Sequence, residues 1–209
     1  MPMIDIYSYS NIVVLGNGDY PQSQLPLKII DEHSLLVVCD GAANAYLSTP
    51  RKFDVIIGDG DSMSQTIKEN CGDKIVIDHD QDTNDQTKAI KYLADRGYAD
   101  IAIVGASGRR EDHLLGNVSL LIEYLKAGVN TRIYTDHGVF IPLCGNAEIA
   151  CRKGQQMSIF NFGCTRLSAE GLQYAIRPFV SMWEGTLNRV VDEKVTFSAD
   201  SYYMVYVAY

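Results

Sequence analysis

The stretch FDVIIGDGDSM, residues 53 to 63, drives an apolar, β-branched run straight into two aspartates set around a glycine. Val55, Ile56 and Ile57 read as a strand covered on both faces, and Asp59 and Asp61 stand at its mouth. Two unit charges about 4 Å apart repel by roughly 4 kcal/mol at an effective dielectric near 20. Either one carboxyl keeps a proton, or a cation lies between them.

The same kind of run recurs along the first two thirds of the chain. NIVVLG (11–16), LLVVCD (35–40), KIVID (74–78), DIAIVG (100–105) and TRIYT (131–135) are continuous and rich in Val and Ile rather than alternating. Helical patterns lie between them. Leu114, Val118, Leu121 and Leu125 share one face of a helix that stops at Lys126 and Gly128. Ala89, Ile90, Leu93 and Ala94 repeat the scheme up to Gly97. This alternation predicts an α/β fold, a doubly wound and mostly parallel sheet, over residues 1–140. The character changes near IPLCGNAEIACRKG. Beyond it, MSIFNF, TRLSAEGL, KVTFSAD and YYMVYVAY predict a small all-β, sandwich-like domain over 141–209, packed on the first domain, on a second copy, or on both.

Composition narrows the class. The chain has 209 residues, 46% of them hydrophobic and 21% charged, which is ordinary for a globular protein. Its net charge of −8, with no block of lysines or arginines, argues against a nucleic-acid partner. No apolar run approaches the ~20 residues needed to span a bilayer, and MPMIDIYSYS has neither a basic nor an apolar leader region, so a cytoplasmic protein is expected. Five cysteines (39, 71, 144, 151, 164) form no CxxC pair, and structural thiols are expected rather than zinc.

The residues at the strand ends are more telling. Asn17-Gly18-Asp19, Asp40-Gly41, Gly58-Asp59-Gly60-Asp61, DHDQDTND and GASGRREDH come after successive strands. In an open parallel sheet the carboxyl ends line one rim, where ligands bind. Oxygen-only donors of this kind suit a hard ion, with Mg²⁺ the usual partner when phosphates share the site. Glycines let backbone N–H groups reach phosphate oxygens, and Arg110 offers a planar fork that fits them. No GxxxxGK[ST] motif occurs, so a P-loop enzyme is excluded. The residues alone support a Mg²⁺-dependent enzyme acting on a phosphorylated ligand.

Four motifs in order, CDGAAN (39–44), DVIIGDGDS (54–62), DQDTND (80–85) followed by KAI, and GASGRREDHLLGN (105–117), resemble those of thiamine pyrophosphokinases. LSAEGLQYAI and WEGTLN in the tail resemble the thiamine-side segment of that family's C-terminal β-sandwich. The resemblance implies a homodimer that uses Mg²⁺ to move the pyrophosphoryl group of ATP onto the thiamine hydroxyl, giving thiamine diphosphate and AMP. It implies Asp59, Asp61 and Asp85 as catalytic, metal-binding carboxylates. Asp40, Gly41, Asn44, Arg110, Asp112, His113 and Asn117 would hold ATP, and Gln81, Ser168 and Asn188 would face thiamine. Asp85 and His113 compete as acceptors of the hydroxyl proton.

The sequence also departs from the family pattern. Ala42 stands for a glycine, Asn84 for a threonine, Arg109 for a glycine, Glu111 for an apolar residue and Leu187 for a serine. The single tryptophan, Trp183, is expected in the β core rather than over the thiamine ring. Three other functions fit the same acidic rim: a pyrophosphokinase for another heterocyclic alcohol such as a pterin, a Mg²⁺-dependent phosphohydrolase, and a non-catalytic nucleotide sensor.

Overall fold

The computed structural model describes residues 3–46 and 48–209. Five Val/Ile-rich strands, β2 (Ile12–Leu15), β3 (Leu35–Cys39), β4 (Val55–Gly58), β5 (Ile75–Ile77) and β6 (Asp100–Val104), pair in parallel in the order β6-β2-β3-β4-β5. β7 (Asn130–Tyr134) adds to β6, again in parallel. Alternate residues face opposite ways, so each strand feeds two cores. Val13, Leu15, Leu36, Val38 and Ile56 meet helices α1 (Gln24–Asp31), α2 (Asp40–Tyr46) and α3 (Gln65–Asn70) on one face. Val14, Val37, Ile57, Ile101 and Ile103 meet α4 (Asp85–Ala94) and α5 (Glu111–Lys126) on the other. This is the doubly wound α/β sheet that the periodicity predicts.

The sheet does not end there. β8 (Gly138–Cys144) turns back antiparallel to β7, and β14 (Tyr202–Ala208), β10 (Gln156–Asn161) and β12 (Asn188–Arg189) extend the same sheet to ten strands. Residue 140 therefore lies inside a strand. A second sheet of β1 (Met3–Ile4), β9 (Ala147–Ala150), β13 (Lys194–Ala199) and β11 (Leu167–Glu170) packs its Ile149, Val195, Phe197 and Leu167 against Ile141, Ile159, Val205 and Val207 of the extension. The C-terminal part is thus a sandwich that shares one layer with the α/β part.

Chain order fixes where a ligand fits. From β2 the chain winds through β3 and β4 to β5, then returns to place β6 on the other side of β2. The loops after β2 and β6 consequently lead to helices on opposite faces of the sheet, and the place where they do so is the switch point, the crevice that open α/β sheets use for ligands.

Candidate active site

A cavity of about 460 Å³ opens at that crevice, floored by Gly16, Cys39 and Ala106. Asp59, Gln81, Asp85 and Lys88 line it on the β4 and α4 side; Arg109, Arg110, Asp112, His113 and Asn117 line it from the β6 loop and α5. Cys39, buried under the floor with its thiol pushed well up by desolvation, is inert.

The acidic side is built around a residue that solvent does not reach. Asp40 follows β3 directly and is fully buried. One carboxyl oxygen accepts the Gly60 amide at 3.1 Å, and the other has no hydrogen-bond partner. Gly58 makes the space, because a Cβ there would stand 2.6 Å from the Asp40 carboxyl carbon. Asp85 opens α4, whose N-terminus is capped by Asn84 Oδ1 accepting from the Thr87 amide at 2.9 Å. The asparagine found in place of threonine is therefore a good cap. Burial, and next the negative charge of Asp40, push the Asp85 carboxyl up to about 6. Asp59 shifts the opposite way, held low chiefly by the Asp61 amide and further by Gln81.

The counter-charge comes from Lys88. Its side chain is 3% exposed and its Nζ lies 3.5 Å from Asp85 Oδ1, one turn along α4. Sequence reasoning missed it. The signal was its spacing of three residues from Asp85, but a helical lysine ordinarily reads as solvated.

On the other side, the Arg110 guanidinium forms a two-point pair with Asp112, at 3.0 and 2.5 Å. That pair holds the Asp112 carboxyl below the usual carboxylate range. Asp112 also accepts the His113 amide at 3.0 Å. Glu111, also in the first turn of α5, suits the positive end of the helix dipole. Asn117 ties the walls together: its Oδ1 accepts from Asn84 at 3.0 Å and its Nδ2 donates to the Ala106 carbonyl at 3.3 Å.

Other expected site residues lie elsewhere. Asp61 lines a neighbouring cavity of about 500 Å³ with Met63, Ile75, Ile77 and His79, which meets the first at Asp59. Asn44 clamps the β4 loop, donating to Ser62 O at 2.8 Å and accepting from Ser64 N at 3.3 Å. Gly41 is buried against the Asn17 side chain. Ser168 is exposed on β11. Asn188 is buried at the far edge of the ten-stranded sheet, bonding the Tyr174 backbone through both ends of its amide. Trp183 corrects an expectation: it is 75% exposed, because residues 173–187 run outside the main ladders and it is Ile176 and Phe179 of that segment that enter the core.

Among the described residues, no three of His, Cys, Asp and Glu enclose a metal ion by themselves. The donors still fit Mg²⁺, which takes one or two carboxylates and fills its shell with water and phosphate oxygens. A buried carboxyl oxygen with no partner, beside two more carboxylates, is that kind of donor set.

Family models of the thiamin pyrophosphokinase catalytic domain and substrate-binding domain match residues 27–133 and 138–206. The chain is 37% identical over 234 residues to thiamine pyrophosphokinase 1 of Oryza sativa subsp. japonica, covering 96% of this chain and 88% of that one. It is 30% identical over 208 residues to thiamine pyrophosphokinase 1 of Arabidopsis thaliana, covering 89% and 73%. In fold it is similar to thiamine pyrophosphokinase from Bacillus subtilis (TM-score 0.78, 20% identity, covering 94% and 98%). It is likewise similar to thiamin pyrophosphokinase from Candida albicans (TM-score 0.75, 18% identity, covering 96% and 93%).

Proposed function

The chain belongs to the thiamin pyrophosphokinase family, and from that premise we propose that it is a transferase moving the pyrophosphoryl group of ATP to the thiamine hydroxyl. The observation that carries this reading is the union, at one switch-point cavity, of Asp59, Asp85 and Lys88, backed by the buried Asp40, with the guanidinium side of the β6 loop. The thiamine hydroxyl oxygen forms a bond to the β-phosphorus and gives its proton to a base at the site, Asp85 or His113; the bond from that phosphorus to the α,β-bridging oxygen breaks, and AMP departs. A divalent ion held by Asp59 and Asp85, with Asp40 behind them and Asp61 from the next cavity, would neutralise charge growing on the phosphate oxygens. The chain itself positions: α4 and α5 fix the two sides, and the bonds of Asn117 keep them in register.

In this reading residues 1–140 bind the nucleotide and 141–209 present thiamine contacts. Asn188 lies five ladder steps from β6 and eight from β4, about 24 and 38 Å at ~4.8 Å per step. Ser168 and Asn188 line neither cavity next to Asp59. A homodimer, in which each copy lends its β segment to the other's cavity, would give them that role. No helix among the described residues is long and apolar enough to cross a membrane. All five cysteines are free, which supports a reducing, cytoplasmic setting.

The test is incubation with ATP, Mg²⁺ and thiamine. AMP that appears only when thiamine is present is the expected result. Phosphate released without an acceptor would make the chain a hydrolase, and nucleotide binding without turnover would make it a sensor.

A further inference from the structure

Two adjacent arginines line the cavity, and their side chains are engaged differently. Arg110 spends its fork on Asp112, so its charge is neutralised within the first turn of α5. Arg109 donates from Nη1 to the neutral amide oxygen of Asn17 at 2.7 Å, and the carboxylate paired with it, on Asp19, is 3.8 Å from its Nε. A guanidinium carries five N–H donors, and one bond to an amide leaves most of them free. Arg109 is thus held by one short bond to an amide and a longer ion pair, which leaves most of its donors free for an anion.

The fixing is built into the backbone. The loops after β2 and β6 zip together: the Gly16 amide donates to Val104 O at 2.8 Å, that of Gly18 to Gly105 O at 2.6 Å, and that of Asp19 to Ser107 O at 2.7 Å. A Cβ on Gly18 would stand 2.2 Å from Ser107 O, so only glycine lets the loops approach this closely. Asn17 is confined from its other side, since a Cβ on Gly41 would fall 2.0 Å from its Nδ2. These are the two switch-point loops, and across the cavity stand the carboxylates of the β4 and α4 side.

We propose that Arg109, positioned by Asn17, is the guanidinium that grips the phosphate chain of the nucleotide, and that Arg110 instead braces the start of α5 through Asp112. The inference rests on the nucleotide half of the function proposed above, and deepens it. It assigns the phosphate contact to a position where the related motif has glycine, which makes it a property of this chain.

Titration calorimetry of the full chain with Mg²⁺ and the α,β-methylene analogue of ATP tests it, with melting curves to show that each variant is folded. Arg109→Gly is expected to weaken binding about ten-fold or more, as loss of a charge-assisted bond should, and Arg109→Lys to restore part of the loss. Asn17→Ala is expected to weaken binding less, and to add nothing when combined with Arg109→Gly, because it acts through that residue. Arg110→Gln is expected to lower the melting temperature and to weaken binding less than Arg109→Gly does. Unchanged affinity in Arg109→Gly, additive effects of the pair, or a ten-fold loss confined to Arg110→Gln would each overturn the assignment. A wild-type chain that binds no analogue would sink both readings. ATP turnover that ignores thiamine would sink only the choice of acceptor.

Discussion

Lys88 Nζ stands 3.5 Å from Asp85 Oδ1 with only 3% of the lysine side chain exposed, so the cavity carries its own buried cation beside a half-buried carboxylate. Removing one partner of such a pair leaves the other charge uncompensated, which typically costs ~3 kcal/mol or more. Lys88→Met is therefore expected to lower the urea unfolding free energy of the metal-free protein by about 3 kcal/mol at pH 8. The loss should shrink at pH 5, where Asp85, pushed up to about 6, already holds its proton. Equal stability of variant and wild type at pH 8 would refute the pairing role.

Asp85 gives the opposite sign. A carboxyl raised from 3.8 to about 6 on folding contributes stability that is present below pH 4 and lost as pH rises through 6. Asp85→Asn removes that loss. The metal-free variant should match wild type near pH 4 and gain on it as pH rises through 6, by less than the ~3 kcal/mol the shift alone would give because Lys88 loses its partner, while AMP formation falls at least ~100-fold. Melting curves across that range decide it, and a variant less stable at pH 7.5 than at pH 4, relative to wild type, would contradict the burial argument.

Two glycines around the cavity should respond oppositely to alanine. At Gly58 the new methyl meets the Asp40 carboxyl, and overpacking of a buried site costs ~1–3 kcal/mol. At Gly116, inside α5 on the cavity wall, it meets nothing within 4 Å. Gly116→Ala should gain ~0.5–1 kcal/mol from helix propensity and yet raise the KM for ATP by narrowing the cavity. Scanning calorimetry and ATP saturation curves check both arms.

Legibility in the sequence followed burial. Strands such as NIVVLG and LLVVC were readable because both faces are covered, so every position is apolar. The carboxylates at their ends were readable because turns expose them in order. β8 was not, because Pro142 demotes a strand. The structure accommodates it by pairing β8 with β7 only at Val139 and Phe140, which leaves that edge open at Pro142. Asn17 and Lys88 stayed hidden for another reason: their work depends on neighbours from other loops or on a helix face whose partner only the fold supplies. Asp59 and Asp61 line the second cavity together, and only Asp59 also lines the first, a difference that their spacing does not reveal.

Leu187 adopts φ +60° and is 72% exposed, its amide donating to Ser158 Oγ at 3.2 Å. A leucine in the left-handed region costs roughly 1 kcal/mol, whereas asparagine tolerates it. Leu187→Asn keeps the backbone bond and should raise the melting temperature by about 2–4 °C. A lower melting temperature would show that the leucine side chain contributes packing that outweighs the strain.

The segment around Trp183 makes the sharpest statement about assembly. Val180, Met182, Trp183 and Leu187 are 96%, 61%, 75% and 72% exposed, close together in sequence on one short stretch. The backbone beneath them is not loose: Gly185 presses on the Ile159 carbonyl and the Phe179 ring, where a Cβ would not fit. Large apolar side chains held out by a fixed backbone mark a contact surface. On the homodimer reading, the wild-type chain should sediment at about twice 23.2 kDa. Val180→Ser with Trp183→Ser should shift it toward a single chain and raise the KM for thiamine, while affinity for the ATP analogue stays within about two-fold, because the nucleotide cavity is built from residues 16–117 of one chain. A wild-type chain that sediments alone at every concentration tested would remove the partner, and with it the supply of Ser168 and Asn188 to the cavity.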